Sequence, residues 1–267
     1  MTWALVRDDL KARWRSVLAL SAGVLVFLLV LTGTFSALGG SSGISQSLGT
    51  KNNRFFSAFA GSDGADVFSP QGFLAFGFGH PLFLILTLAL CVAMGAGTLA
   101  QDVESGRAEI LYTAPVSRAK IVLARLTALF CAEAAVLVAG GFGGVIGSRL
   151  SPDMASISPW VVVRVLAQYL PLTTFVGSVG LLVSVLSRSR GGALAATSGL
   201  VAGAYVVNVI ALLWTPIADV RHADPFFYFR PTDAAGSFDW VAAVVLLGVA
   251  AILSGFAFAA LRRRDLA

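Results

Sequence analysis

The chain has few charged residues. Only 12% of its 267 residues are Asp, Glu, Lys or Arg, while 57% are hydrophobic. Soluble domains carry about 25% charged residues. A chain this apolar would aggregate in water, so the composition excludes an ordinary soluble domain and indicates a protein whose solvent is the lipid bilayer.

Residues that serve catalysis or bind metals are also scarce. The sequence contains three glutamates, two histidines (His80 and His222) and two cysteines (Cys91 and Cys131), and both cysteines lie inside apolar runs. The histidines and cysteines lack the spacing of metal ligands, so we expect no metal site and no disulfide. No nucleophile and base stand together at one depth, which disfavours a membrane-embedded enzyme. We therefore expect no catalytic residues.

Nucleotide chemistry is not visible in the sequence. The chain has no G-x-x-x-x-G-K-[ST] phosphate loop. Its most glycine-rich stretch, residues 140–144, lies inside an apolar run, where glycines allow helices to pack closely. If this protein uses ATP, another subunit must bind and hydrolyse it.

Six apolar runs are long enough to cross a bilayer, which takes about 20 residues per helix. They predict an all-α integral membrane protein with one transmembrane domain over residues 1–267. The second span could begin at Pro81, and the fourth, which contains Pro171, is expected to break into an interfacial helix and a span. The predicted spans are residues 16–38, 74–100, 121–146, 160–186, 193–213 and 240–261.

The first 15 residues have their own pattern. Trp3, Val6, Leu10 and Trp14 recur at near-helical spacing, with basic residues between them. This pattern predicts an amphipathic helix that lies in the membrane interface before the first span.

Basic residues are distributed unequally between the two sides of the predicted membrane. The termini and the second and fourth connections carry 13 of the 19 lysines and arginines. The positive-inside rule therefore puts both termini in the cytoplasm, and it explains the net charge of +5 without a nucleic-acid partner. We expect a multi-pass protein of the cytoplasmic (inner) membrane, in contact with membrane lipid.

The connection after the second span has a distinctive composition. Glu104, Arg107 and Glu109 flank an apolar triplet at residues 110–112, and Pro115 then stops the helix. We predict a short helix at residues 102–116, parallel to the membrane, that docks into a groove on a cytoplasmic partner. An ordinary basic loop that only sets topology is the alternative.

This segment, DVESGRAEILYTAPVSR at residues 102–118, resembles the signature of type-2 ATP-binding-cassette (ABC) exporter permeases in a short six-span form. Residues 224–231 (DPFFYFRP) and 263–266 (RRDL) are similar to the family's last outer loop and chain end. The resemblance extends over essentially the whole chain. Tyr112-Thr-Ala departs from the commoner Leu-Leu-Ser, which leaves open which ATPase the chain accepts.

The resemblance implies a half-transporter that works as an exporter, as members of that family do, and the sequence does not identify its cargo. Two permease subunits, identical or homologous, would pair, and each would dock on an ATPase subunit that binds ATP and Mg. The ATPase-coupling residues that the resemblance implies are Glu104, Gly106, Arg107, Glu109, Leu111, Pro115 and Arg118.

Polar residues inside the spans leave further alternatives open. Glu133 lies near the middle of the third span, where a charge is costly; it is either functional, as in an ion-coupled secondary transporter, or a neutral structural acid. Arg164 is expected to extend to the outer interface. Asn208 is expected to bond to a neighbouring helix, and the first or fifth span to form the subunit interface.

Overall fold

The computed structural model describes residues 2–48, 67–106 and 117–263, and these residues contain α-helices and 3-10 helices but no strand. The all-α prediction is therefore confirmed. In chain order the α-helices are α1 (Thr2–Gly33), α2 (Gly40–Leu48), α3 (Pro70–Gly79), α4 (Pro81–Gly95), α5 (Gly97–Glu104), α6 (Arg118–Leu150), α7 (Pro159–Leu186), α8 (Arg190–Leu213), α9 (Pro231–Gly236) and α10 (Trp240–Arg263).

Six helical stretches in the described residues have the length and apolar composition to cross a membrane. They match the six predicted spans in number and order, and their ends agree within five residues except at the start of the first span, which lies 13 residues earlier than predicted. They are Trp3–Gly33, Pro70–Gly95, Arg118–Leu150, Pro159–Leu186, Arg190–Leu213 and Trp240–Arg263.

The N-terminal segment differs from its prediction. Helix α1 continues without a break through residue 16, since no proline or glycine occurs before Gly23. The predicted apolar face is also divided, because Val6 is 2% exposed in the core whereas Trp3 is 69% exposed. An extension of the first span, packed on the bundle, replaces the separate interfacial helix.

The two proline-containing spans behave in opposite ways. The second is interrupted at His80, whose Nδ1 accepts the Leu82 backbone N–H at 3.1 Å, and α4 restarts at Pro81 as predicted. The fourth is not interrupted, because α7 passes through Pro171, so the predicted break is wrong. Pro171 is buried in the bundle, where packing against neighbouring helices maintains a helix that has lost one backbone hydrogen bond.

Glycines set the closest helix contacts. A methyl group added at Gly143 of α6 would collide with the backbone carbonyl of Leu25 in α1. One added at Gly95 of α4 would lie 2.6 Å from the Gly177 carbonyl oxygen in α7. The packing role predicted for residues 140–144 is thus confirmed, and these contacts bring α1, α4, α6 and α7 together in the centre of the bundle.

Candidate functional site

The two ends of the predicted docking segment lie within the described residues. Helix α5 ends at Glu104, and Gly106 follows with a φ of +70°, a left-handed conformation that favours glycine. Ser117 stands at the N-cap of α6, but its side chain makes no capping hydrogen bond. The other predicted coupling residues, Arg107, Glu109, Leu111 and Pro115, lie outside the described residues.

A charge cluster anchors the incoming end of this segment. Arg125 of α6 donates from Nη2 to Oδ2 of Asp102 in α5 at 2.5 Å, and from Nη1 to Oδ1 of Asp9 in α1. The three side chains are only 10–13% exposed. Charge-assisted bonds from one guanidinium therefore join three helices. Sequence reasoning missed this cluster, although an Asp8-Asp9 pair inside a basic N-terminus was a visible clue.

Glu104 binds the start of another span. Its Oε2 accepts the backbone N–H of Arg190, the first residue of α8, at 2.8 Å. A carboxylate at a helix N-terminus is favourable, since it meets unpaired N–H groups and the positive end of the helix dipole. Thus a residue predicted to couple to the ATPase contacts the fifth span directly.

Two further arginines lie where α1, α5 and α8 meet. The Arg13 and Arg190 guanidinium groups both border Gly97, where an added methyl group would lie 3.5 Å and 3.6 Å from their respective nitrogens. Helices α1, α5 and α8 therefore meet at Gly97.

Arg118 holds the outgoing end of the segment. Its Nη1 donates to the carbonyl oxygens of Leu261 at 2.5 Å and Arg262 at 2.9 Å, in the last turn of α10. A cation at the C-terminal end of a helix is stabilising. The ends of the docking segment thus bond to α6 through Asp102, to α8 through Glu104 and to α10 through Arg118, and Arg125 extends the first of these links to α1.

Glu133 lies in the packed core. It is 0% exposed, and neither carboxylate oxygen has a partner of hydrogen-bonding geometry among the described residues. The Cys91 thiol lies beside it, and Tyr169, which hydrogen-bonds to Thr87, is a further neighbour. Buried polar groups are seldom left without a hydrogen bond, so Glu133 remains the most unusual polar residue of the spans.

Arg164 binds the segment that precedes the last span. Its Nη2 donates to the carbonyl oxygen of Ala235 at 2.6 Å, and Nε2 of Gln71 donates to the same oxygen at 2.9 Å. Arg164 therefore binds the end of the short helix α9. The carbonyl groups of a last helical turn have no partner within the helix, so without Arg164 and Gln71 this one would need water.

The other polar residues considered in the sequence are Asn208, His80 and the potential metal ligands. Asn208 is buried, and its Oδ1 has no hydrogen-bond partner within the described ranges, so the predicted interhelical bond of that oxygen is not found there. His80 packs between the rings of Phe27 and Phe76. No group of three potential metal ligands occurs among residues 2–48, 67–106 and 117–263.

Six apolar helices define a multi-pass α-helical membrane protein. Residues 3–266 match the family described as ABC-2 family transporter protein, and the chain belongs to that family. A search of curated proteins found no match. The family resemblance predicted from residues 102–118 is confirmed, and with it the role of a membrane component of a transporter.

Proposed function

We propose that this chain is the transmembrane subunit of an ABC exporter that moves an unidentified substrate across the cytoplasmic membrane. A separate ATPase subunit binds ATP with Mg and hydrolyses it. Family membership supports this proposal, and so does a sequence with no phosphate loop of its own. A second permease subunit completes the transport pathway.

In this proposal the docking segment, predicted as residues 102–116, carries a coupling helix that begins after α5 has ended at Glu104 and that docks on the ATPase. The observation that carries it is the anchoring of both ends, by Asp102 and Glu104 in the last turns of α5 and by Arg118 at the start of α6. Because charged bonds on each side tie the segment to four spans, a displacement of the segment by the ATPase would move those spans. Such motion suits alternating access.

Orientation follows from charge. The end of the bundle with Arg118 and the N-terminus faces the cytoplasm, since 13 of the 19 basic residues belong to that side. Both termini are then cytoplasmic, on the side where ATP is available.

Purification of the tagged chain with its ATPase tests the proposal. We expect an ATP-hydrolysing subunit to copurify, and Glu109→Arg to abolish its binding by reversing a charge on the docking segment. The matched control is Asp153→Arg, a reversal at an exposed carboxylate that follows the far end of α6. An ATPase that binds both variants equally would contradict the docking role of residues 102–116.

Ion-coupled transport through Glu133 is the second candidate, favoured by the fully buried carboxylate without a hydrogen-bond partner in the described part of the chain. The variant Glu133→Gln separates the two. Unimpaired ATP-dependent transport by this variant would retire the ion-coupled mechanism. Transport that needs no ATPase in the unaltered chain, and that Glu133→Gln abolishes, would favour it.

A further inference from the structure

We propose that a groove between α6, α7 and α10 binds one acyl chain of an anionic phospholipid, whose headgroup is held by basic residues at the end of the bundle. This three-helix groove has a volume of about 540 Å³. Phe130 on one wall and Leu247 on another are 48% and 45% exposed, so the groove is open to the surrounding lipid.

The lining of the three-helix groove is suited to hydrocarbon. Four hydroxyl groups face it, and each donates a hydrogen bond at 2.8 Å to a carbonyl of its own helix. Since these donors are already used, the groove offers few free hydrogen-bond donors to a polar ligand, whereas an acyl chain needs no hydrogen-bond partner. The four residues are Thr127, Thr174, Ser178 and Ser254.

Helical periodicity connects the groove to a basic cluster, which we define as Arg118, Lys120, Arg262 and Arg263. Leu126 of the groove is eight residues after Arg118, and Arg262 is eight residues after Ser254, so each pair lies on one helix face. The Arg262 guanidinium lies 5.7 Å from the ring centre of Phe258, midway along that face.

The depth agrees with a phospholipid. Eight helical residues rise about 12 Å, which is within the roughly 15 Å of one hydrocarbon leaflet. A lipid whose phosphate lies at the basic cluster would therefore extend an acyl chain into the three-helix groove.

Three members of the basic cluster are open to a headgroup. Lys120, Arg262 and Arg263 are exposed. Arg118 brings the start of α6 against the end of α10, so Lys120 and Arg262 lie on adjoining helix ends. Each basic residue near an anionic lipid surface strengthens binding by about fivefold.

Fluorescence quenching by brominated lipids tests the site. All five tryptophans are replaced by phenylalanine, and Phe130→Trp supplies one reporter in the groove. We expect dibrominated phosphatidylglycerol to bind there at least about fivefold more tightly than dibrominated phosphatidylcholine. A second reporter, Val26→Trp, lies on the lipid-facing side of α1 at 56% exposure of the native valine and should show the weaker, ordinary preference.

Charge removal identifies the headgroup site. Neutralising Lys120, Arg262 and Arg263 to glutamine should abolish the preference at Phe130→Trp. Neutralising Arg7, Lys11 and Arg15, which removes the same charge from α1, should leave it. Equal binding of the two lipids, quenching by neither, or an equal loss in both triple variants would each overturn the proposal.

Native mass spectrometry tests the same site without the tryptophan substitutions. The otherwise unaltered chain should retain phosphatidylglycerol over phosphatidylcholine, and Ala251→Phe, which fills the groove, should reduce that retention severalfold. The control Ala195→Phe places the same ring on an exposed position of α8. Equal retention by both variants would contradict a lipid in the three-helix groove.

Discussion

Removing Arg125 is the strongest single perturbation of the charge cluster that the structure suggests. The substitution Arg125→Leu would leave the carboxylates of Asp9 and Asp102 together, nearly buried and without their shared cation. Breaking a buried pair by removing one partner costs about 3–5 kcal/mol. Because the side chains keep 10–13% exposure, we expect a loss near the lower end, about 3 kcal/mol.

The loss should be reversible by removing the carboxylates as well. In the triple variant Asp9→Asn/Asp102→Asn/Arg125→Leu, the two carboxylates that Arg125→Leu alone would strand are neutral amides, so most of the stability should return. Non-additivity of this kind is expected for residues in one network.

The assay is reversible unfolding of the chain in mixed micelles, followed by circular dichroism. Its control is Arg15→Leu, which removes an exposed arginine of α1 and should change the free energy of unfolding by less than about 0.5 kcal/mol. If Arg125→Leu were as mild as this control, or if the triple variant were no more stable than the single one, the cluster would not be a buried ion-pair network.

Two other predictions concern packing and pH. Gly143→Ala should destabilise the chain by about 1–3 kcal/mol, because the added methyl group meets the Leu25 carbonyl. The control Gly248→Ala has open space around it and should be neutral or slightly stabilising. Equal effects of the two substitutions on unfolding in micelles would contradict the α1–α6 contact. Burial raises the pKa of Asp224 to about 6, although its bond from the Phe226 N–H opposes the shift. The folded state therefore holds this proton more tightly than the unfolded state, and stability should fall between about pH 4 and pH 7 by about 1–2 kcal/mol after solvent screening. Asp224→Asn keeps the acceptor and should lack this fall; parallel pH profiles would refute the assignment.

Span number could be predicted from the sequence because run length alone decides it. An apolar run of about 20 residues needs a helix in a bilayer, whatever its neighbours are. Breaks inside a run depend on those neighbours. Pro171 and Pro81 are the same residue type in similar runs, but only Pro81 follows a break in the helix, at His80.

The charge cluster could not be predicted in the same way. Arg125 and Asp9 are 116 residues apart in sequence, and nothing local pairs them. The sequence placed Arg125 among topology-setting basic residues and Glu104 among docking residues. Only the packing of α5 against α8 brings Glu104 to the Arg190 N–H. Residues could thus be assigned to a side of the membrane, but their contacts depend on helix packing.

The central claim, that a separate ATPase grips residues 102–116, is tested most directly by site-specific cross-linking at Leu111. A photoreactive residue at position 111 should form an adduct with the ATPase subunit in the membrane, while the same residue at Ser42, in α2, should not. If position 111 cross-linked only to lipid or to molecules outside the cell, the account would be contradicted. Equal adducts with the ATPase from both positions would contradict it as well.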